Sequence, residues 1–296
     1  MKQQAKQVLY QDIASKKVLI TGVDGFTGIH LEKLLFNKGY EVLGTVIKNP
    51  KDKKHFVCDI KNIEEIREVL EFIKPDYIFH LAGISFVGTQ NRSLMYDVNV
   101  LGTENLLSAL DDSKLIPEKI VIASSATVYG NQNSSVLEES MCPKPVNHYG
   151  CSKLIMEHIV AGYFQKFDII ITRPFNYTGP NQPDHFLIPK IIKHFRDKKE
   201  YIELGNINVA REFNNVSDVS NIYYQLMLCK TNSIIVNVCS GVGVYLTDII
   251  NYMNTLAGYK IKIKVNPNLV RLNEIVELKG STAKLSSLVS IVNRED

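Results

Sequence analysis

Short, nearly continuous apolar runs recur along the first 240 residues, at 18–21, 41–46, 77–81, 119–123, 168–172 and 234–238. Between them lie stretches of helical spacing such as Ile29-His30-Leu31-Glu32-Lys33-Leu34-Leu35-Phe36. A strand with one wet face alternates polar and apolar residues, whereas a continuous run is buried on both faces. The pattern therefore predicts a parallel α/β sheet with helices on both sides. Residues 103–110 and 152–163 read as amphipathic helices. After Arg173-Pro174-Phe175-Asn176 the rhythm breaks, because Pro174, Gly179, Pro180, Pro183 and Pro189 impose loops and only short elements follow. The chain thus divides into a main unit, 16–175 with 213–240, and a smaller lobe, 176–212 with 241–296. No internal repeat or low-complexity segment is present.

Composition narrows this picture. A chain of 296 residues, 45% hydrophobic and 22% charged, is long enough for one large core with a smaller partner. The net charge of +3 is too small and dispersed for a nucleic-acid binder, and no apolar run is long enough for a membrane span. The first fifteen residues are polar and lack a signal-peptide core. Cys58, Cys142, Cys151, Cys229 and Cys239 are scattered and odd in number, which predicts reduced thiols in a cytoplasmic protein. Neither they nor the histidines have metal-ligand spacing, so no metal is expected, and His80 within Tyr77-Ile78-Phe79-His80-Leu81 reads as a core residue.

The most informative junction is Lys17-Val18-Leu19-Ile20-Thr21 running into Gly22-Val23-Asp24-Gly25-Phe26-Thr27-Gly28 and then into a helix. Glycines spaced by three between a strand and a helix let the backbone turn tightly and approach a pyrophosphate, whose charge is favoured at the positive helix end. A second feature is Tyr149-Gly150-Cys151-Ser152-Lys153, at a spacing that puts both side chains on one helix face. An ammonium beside a phenol favours the phenolate, so the expectation is a lowered Tyr149 pKa suited to proton transfer. Ser125, in Ala123-Ser124-Ser125-Ala126-Thr127-Val128-Tyr129-Gly130, follows a predicted strand at the sheet edge where open α/β folds bind ligands.

Glycine cradle, Ser125 and Tyr149-x-x-x-Lys153 together resemble the extended short-chain dehydrogenase/reductase family, whose members act on nucleotide sugars. The resemblance runs from about Lys17 to about Leu285. It implies a Rossmann-type doubly wound parallel sheet for the dinucleotide and a sugar-nucleotide-binding C-terminal lobe. It also implies a homodimer formed through helices 103–110 and 152–163, with packing on the same chain's sheet as the simpler alternative. Ser125, Tyr149 and Lys153 take the catalytic positions, Tyr149 as general acid in reduction and general base in oxidation. Cofactor contacts fall to Gly22, Gly25, Phe26, Thr27, Gly28, Leu81, Ala82, Gly83, Asn99 and the pair Asp59-Ile60, with Lys153 on the nicotinamide ribose. The second strand ends Thr45-Val46-Ile47-Lys48-Asn49 without the acid of an NAD-selective site, and a cation at Lys48 suits a 2′-phosphate. NADP is therefore expected, with NAD possible.

Substrate contacts implied by the resemblance are Ser85, Ser125, Thr127, Asn176, Arg211, Arg271 and Glu274. An arginine fork suits a diphosphate, and Glu274 can accept from ribose hydroxyls. The runs from Arg173 to Gln182, Asn237 to Gly241 and Lys279-Gly280-Ser281 are similar to the subgroup acting on GDP-4-keto-6-deoxy sugars. Dehydratases of that kind place acids just after the catalytic Ser or Thr; Ala126 and Thr127 stand there instead, which points to C4-keto reduction. Two alternatives stay open. The run Ser124 to Gly130 also resembles NDP-sugar 4-epimerases with tightly held NAD, and a non-catalytic nucleotide-binding relative is a third reading that intact Ser125, Tyr149 and Lys153 disfavour.

Overall fold

The computed structural model describes residues 16–86, 89–270 and 276–290. Its main sheet contains β1 (Lys17–Thr21), β2 (Glu41–Val46), β3 (His55–Val57), β4 (Tyr77–His80), β5 (Lys119–Ala123), β6 (Ile169–Pro174) and β7 (Ile234–Val238). The order is β7-β6-β5-β4-β1-β2-β3, and every pairing is parallel. This is a Rossmann-type fold. Six of the seven strands coincide with the apolar runs. The edge strand β3 is not visible in the periodicity, because it is short and follows the polar loop Lys51-Asp52-Lys53-Lys54.

The longer helices among the described residues are α1 (Phe26–Asn37), α2 (Ile63–Ile73), α3 (Gly102–Asp112), α4 (His148–Ala161), α5 (Leu187–Arg196), α6 (Val216–Leu228) and α7 (Leu246–Ala257). Strand side chains alternate between faces, and so each strand feeds two cores. Val18, Ile20, Phe79, Val121 and Ile170 point to the face covered by α1 and α6, where Leu31, Leu35, Val219 and Tyr223 meet them. Leu19, Ile78, Ile120, Ile122 and Ile171 point to the other face, against α2, α3 and α4. Helix α2 shows how sequence sets an element: Asn62 caps it by accepting from the Glu64 amide at 3.2 Å, and Ile66, Val69, Leu70 and Ile73 form its buried stripe. Helices α3 and α4 bury Leu106, Leu107, Met156 and Val160 on the sheet of their own chain.

Strand β1 pairs with β2 on one side and β4 on the other, so the connections diverge there and open a crevice at the carboxyl ends. A second core gathers Ile191 and Phe195 of α5, Leu246 and Ile250 of α7, and Ile202 and Leu204 of the strand Tyr201–Leu204. That strand runs parallel to Lys262–Val265. A further small sheet joins Val244–Tyr245, Ala210–Arg211, Glu277–Gly280 and Val136–Leu137. This sheet draws 136–137 from the segment between β5 and α4, and Leu285 packs into the main core. Glu212, buried at 1% exposure, fastens these parts by accepting from the Gly280 amide at 2.6 Å and the Ser240 amide at 2.7 Å.

Candidate active site

The turn after β1 is shaped by close approach. Gly22 has φ of +69°, and a Cβ there would sit 2.9 Å from the Ala82 Cα. A Cβ on Gly28 would lie 2.5 Å from the Val23 carbonyl oxygen. Only glycines allow this path. Helix α1 starts with Gly25 at its N-cap, no side-chain cap and no acid in its first turn, so no side chain of its own screens the positive helix end. The residues present thus fit a dinucleotide pyrophosphate. Phe26 stacks on Tyr177 with ring centroids 5.7 Å apart, and the Thr27 hydroxyl meets the Tyr177 hydroxyl at 2.7 Å. These contacts join the cradle to the segment after β6. Tyr177 was not singled out from sequence, although it follows Asn176 directly.

Next to the cradle, buried polar groups form a directional chain. The Thr21 hydroxyl accepts from the Ala82 amide at 3.2 Å and meets His80 Nδ1 at 2.8 Å. His80 Nε2 lies 2.9 Å from the Thr103 hydroxyl, which donates its one proton to the Asn99 carbonyl, also at 2.9 Å. Nε2 must therefore carry the hydrogen, and in the neutral ring Nδ1 accepts from the Thr21 hydroxyl. Burial, with a contribution from the Lys153 charge, holds its pKa down at about 3. His80 is a core residue, as the sequence suggested. Asn99 occupies a wide π-helical turn and clamps the loop after β4, accepting from the Ile84 amide at 2.8 Å and donating to the Ile84 carbonyl at 3.1 Å and Ser152 at 3.0 Å.

Ser125 ends the loop after β5, and Tyr149 and Lys153 lie on the first turns of α4, whose N-cap Asn147 accepts from the Gly150 amide at 2.8 Å. Ser125 Oγ accepts the Thr127 amide at 3.2 Å and the Thr127 hydroxyl at 2.9 Å. With both lone pairs engaged, its one proton is left to donate into the cavity, where Ser125 also acts on the Tyr149 phenol. Burial pushes Tyr149 up to about 12, with the Ser125 hydrogen bond pulling the other way. Lys153 plays no part in that shift, contrary to the sequence expectation. Its ammonium is engaged instead by the Ala123 carbonyl at 2.7 Å, and burial lowers its own pKa to about 8.

One cavity of about 850 Å³ brings most of the anticipated residues together. Gly22, Gly25, Phe26, Thr27, Gly28, Leu81 and Gly83 line its cradle end, and Ser125, Thr127, Tyr149 and Lys153 its middle. Ser85, Asn176 and Arg211 line it too. Arg211 donates to the Ala210 carbonyl at 2.7 Å. Ala82 and Asn99 stand just behind the wall, while Lys48, Asp59 and Ile60 lie away from the lining. Ile60 is buried and packs against α3; Lys48 is exposed. Arg271 and Glu274 lie outside the described residues. Sequence reasoning missed Phe86 and His185, whose rings meet at 4.6 Å on the cavity wall, and the lobe residues Lys190, Leu204 and Leu246. Those residues carry no local motif. No cluster of metal-ligating side chains occurs among the described residues, and no helix among them is long and apolar enough to cross a membrane.

A glycine cradle at a topological switch point, with Ser, Tyr and Lys converging on one cavity, defines the class: the chain belongs to the NAD dependent epimerase/dehydratase family, which it matches over residues 18–239. It is 37% identical over 274 residues to a GDP-6-deoxy-D-talose 4-dehydrogenase of Aggregatibacter actinomycetemcomitans, covering 92% of this chain and 91% of that one. Identity is 28% over 284 residues to a GDP-6-deoxy-D-mannose reductase of Pseudomonas aeruginosa, covering 92% and 90%. The solved structure of RMD from Pseudomonas aeruginosa complexed with NADPH superposes with a TM-score of 0.81 at 26% identity, covering 93% of this chain and 92% of that one. The protein is thus an enzyme family member built to modify nucleotide sugars with an NAD(P) cofactor.

Proposed function

We propose that this protein reduces the C4 keto group of a GDP-4-keto-6-deoxy sugar, with NADPH as the preferred reductant and Tyr149 as proton donor. The observation that carries the reading is the convergence of Ser125, Tyr149 and Lys153 with the glycine cradle on one cavity. Ser125 and Tyr149 hold the keto oxygen, and as negative charge develops there Tyr149 delivers its proton. The bound nicotinamide supplies the hydride. Lys153 and Asn99 serve its ribose and ring, Asp59 and Ile60 the adenine, and Lys48 a 2′-phosphate. On the sugar-nucleotide side stand Ser85, Thr127, Asn176 and Arg211, together with Arg271 and Glu274. The names of two relatives, one a 4-dehydrogenase and one a reductase of GDP-6-deoxy sugars, support the GDP-sugar substrate.

Ala126 and Thr127 supply no carboxylate beside Ser125, which speaks against elimination of water across C5 and C6. The same reading joins two copies through α3 and α4, near which Leu101 and Ile155 remain exposed. In the test, the purified protein receives GDP-mannose with NADP, and separately the 4-keto sugar made by an added dehydratase with NADPH. The expected results are no keto product in the first case and one NADPH oxidised per sugar consumed in the second. Dehydration by the protein alone overturns the reading. Isomerisation of an NDP-sugar without loss of NADPH absorbance assigns it to the 4-epimerases, which the run Ser124 to Gly130 also resembles.

A further inference from the structure

Helix α4 carries a third buried polar residue on the face that presents Tyr149 and Lys153. Glu157 lies one turn beyond Lys153, only 3% exposed. Its Oε1 accepts the Ser124 hydroxyl at 2.5 Å and Arg173 Nε at 3.0 Å, and its Oε2 accepts Arg173 Nη2 at 2.6 Å. Arg173, at the end of β6 and also 3% exposed, stacks its guanidinium over the Tyr129 ring at 4.8 Å. Its Nη1 has no partner. The Tyr129 hydroxyl donates to Asn237 of β7 at 2.6 Å.

A buried ion pair of this kind is seldom justified by stability, since desolvating both charges offsets their attraction. The chemistry next to it gives a better reason. Ser124 precedes Ser125, and its backbone amide is held by the Thr172 carbonyl at 2.8 Å. The same carboxylate that grips its hydroxyl shares a helix face with the ammonium one turn earlier, and its charge acts on it. The ionisable groups around Lys153 are Tyr149 and Glu157 on its own helix and His80 on β4, with Arg173 of β6 behind Glu157.

We propose that Glu157, oriented by Arg173, is a positioning residue for this site: it fixes the loop bearing Ser125 and keeps Lys153 in its ammonium form. Burial alone drives Lys153 toward the neutral amine, and Glu157 opposes that drift. His80 is neutral and adds no competing charge. Arg173 holds the Glu157 carboxylate through Nε and Nη2 and aims its second oxygen away from Ser124. The inference rests on the reductase reading only for the consequence in turnover.

The closing experiment needs no substrate. Protein carrying [ε-13C]lysine is titrated by NMR, with the Lys153 signal assigned by its loss in Lys153→Arg. In Glu157→Gln the Lys153 midpoint is expected to fall by about one pH unit or more, as for loss of a neighbouring opposite charge. Glu157→Asp and Arg173→Lys keep both charges and are expected to hold the wild-type midpoint, even with lower thermal stability. A midpoint unchanged within about 0.3 units in Glu157→Gln overturns the proposal, because an opposite charge within reach moves such groups by more than that. An equal fall in the charge-conserving variants also overturns it, since packing would then be the cause. A shifted midpoint in a protein that reduces no keto sugar leaves this inference standing and removes the reductase reading instead.

Discussion

The Lys153 ammonium donates to the Ala123 carbonyl at 2.7 Å, which ties the active-site face of α4 to the end of β5. Lys153 is thereby placed without leaning on Tyr149, and the two side chains that share a helix face have separate anchors. Each can be removed with a distinct outcome.

Lys153→Met separates activity from stability. The folded chain holds the Lys153 proton with a pKa of about 8, against an ordinary 10.5. Between those values the unfolded chain is protonated while the folded one is not, so this group makes stability rise with pH across that window. Below it, the buried charge is a fixed penalty. The methionine variant is expected to melt higher than wild type at pH 7, to lose that rise, and to lose turnover at least about a hundredfold. A lower melting temperature at pH 7 would contradict the burial argument.

Tyr149→Phe keeps the ring and removes the proton. Turnover is expected to fall by about a hundred- to ten-thousand-fold, in the range typical of positioned acid–base groups. Fluorescence titration with NADPH should show cofactor affinity near wild type. Retention of more than about a tenth of the rate would exclude Tyr149 as the acid.

Thr127→Val deletes the hydroxyl that donates to Ser125 but leaves the amide contact. Ser125 then has a free lone pair, so its proton is no longer the one hydrogen-bonding group it has left to offer. The expected result is a fall in kcat of about tenfold with little change in cofactor affinity, the scale of one lost hydrogen bond to a reacting group. Thr127→Ser should restore most of the rate. Equal activity of the valine variant would show that the Ser125 proton is oriented by other means.

Gly28→Ala tests the cradle. The new methyl would meet the Val23 carbonyl at 2.5 Å, so the turn has to open. Such overpacking costs about 1–3 kcal/mol, which predicts about five- to 150-fold weaker NADPH binding if the strain falls on the phosphate path. Calorimetric titration of the variant gives that affinity directly, and wild-type binding would mean the path yields without cost.

Much of this was legible in the sequence because it is local. A buried parallel strand needs five or six apolar residues in a row, and a phosphate turn needs glycines at fixed offsets. The Tyr–Lys pairing is a spacing on one helix. What stayed hidden depends on long-range contacts. The partner of Lys153 is a carbonyl 30 residues away in sequence, and nothing in the Tyr149-x-x-x-Lys153 run announces it. The lowered Tyr149 pKa expected from that run did not survive burial, because desolvation of a phenol favours its neutral form. Strands of two residues, such as Val136–Leu137 and Ala210–Arg211, have no period to detect. They exist because neighbours distant in the chain offer free backbone groups.

The Glu212 carboxylate and the Gly280 amide it accepts are 68 positions apart. While the chain emerges from the ribosome, at about 5–20 residues per second, the strands and helices of the cradle are complete several seconds before Gly280 arrives. Until then Glu212 is a carboxylate waiting for its last donor, and the small sheet that includes Arg211 lacks one of its two inner strands. The cradle residues are therefore synthesised well before those that close the far end, so synthesis itself sets the order in which the two ends of the cavity become available.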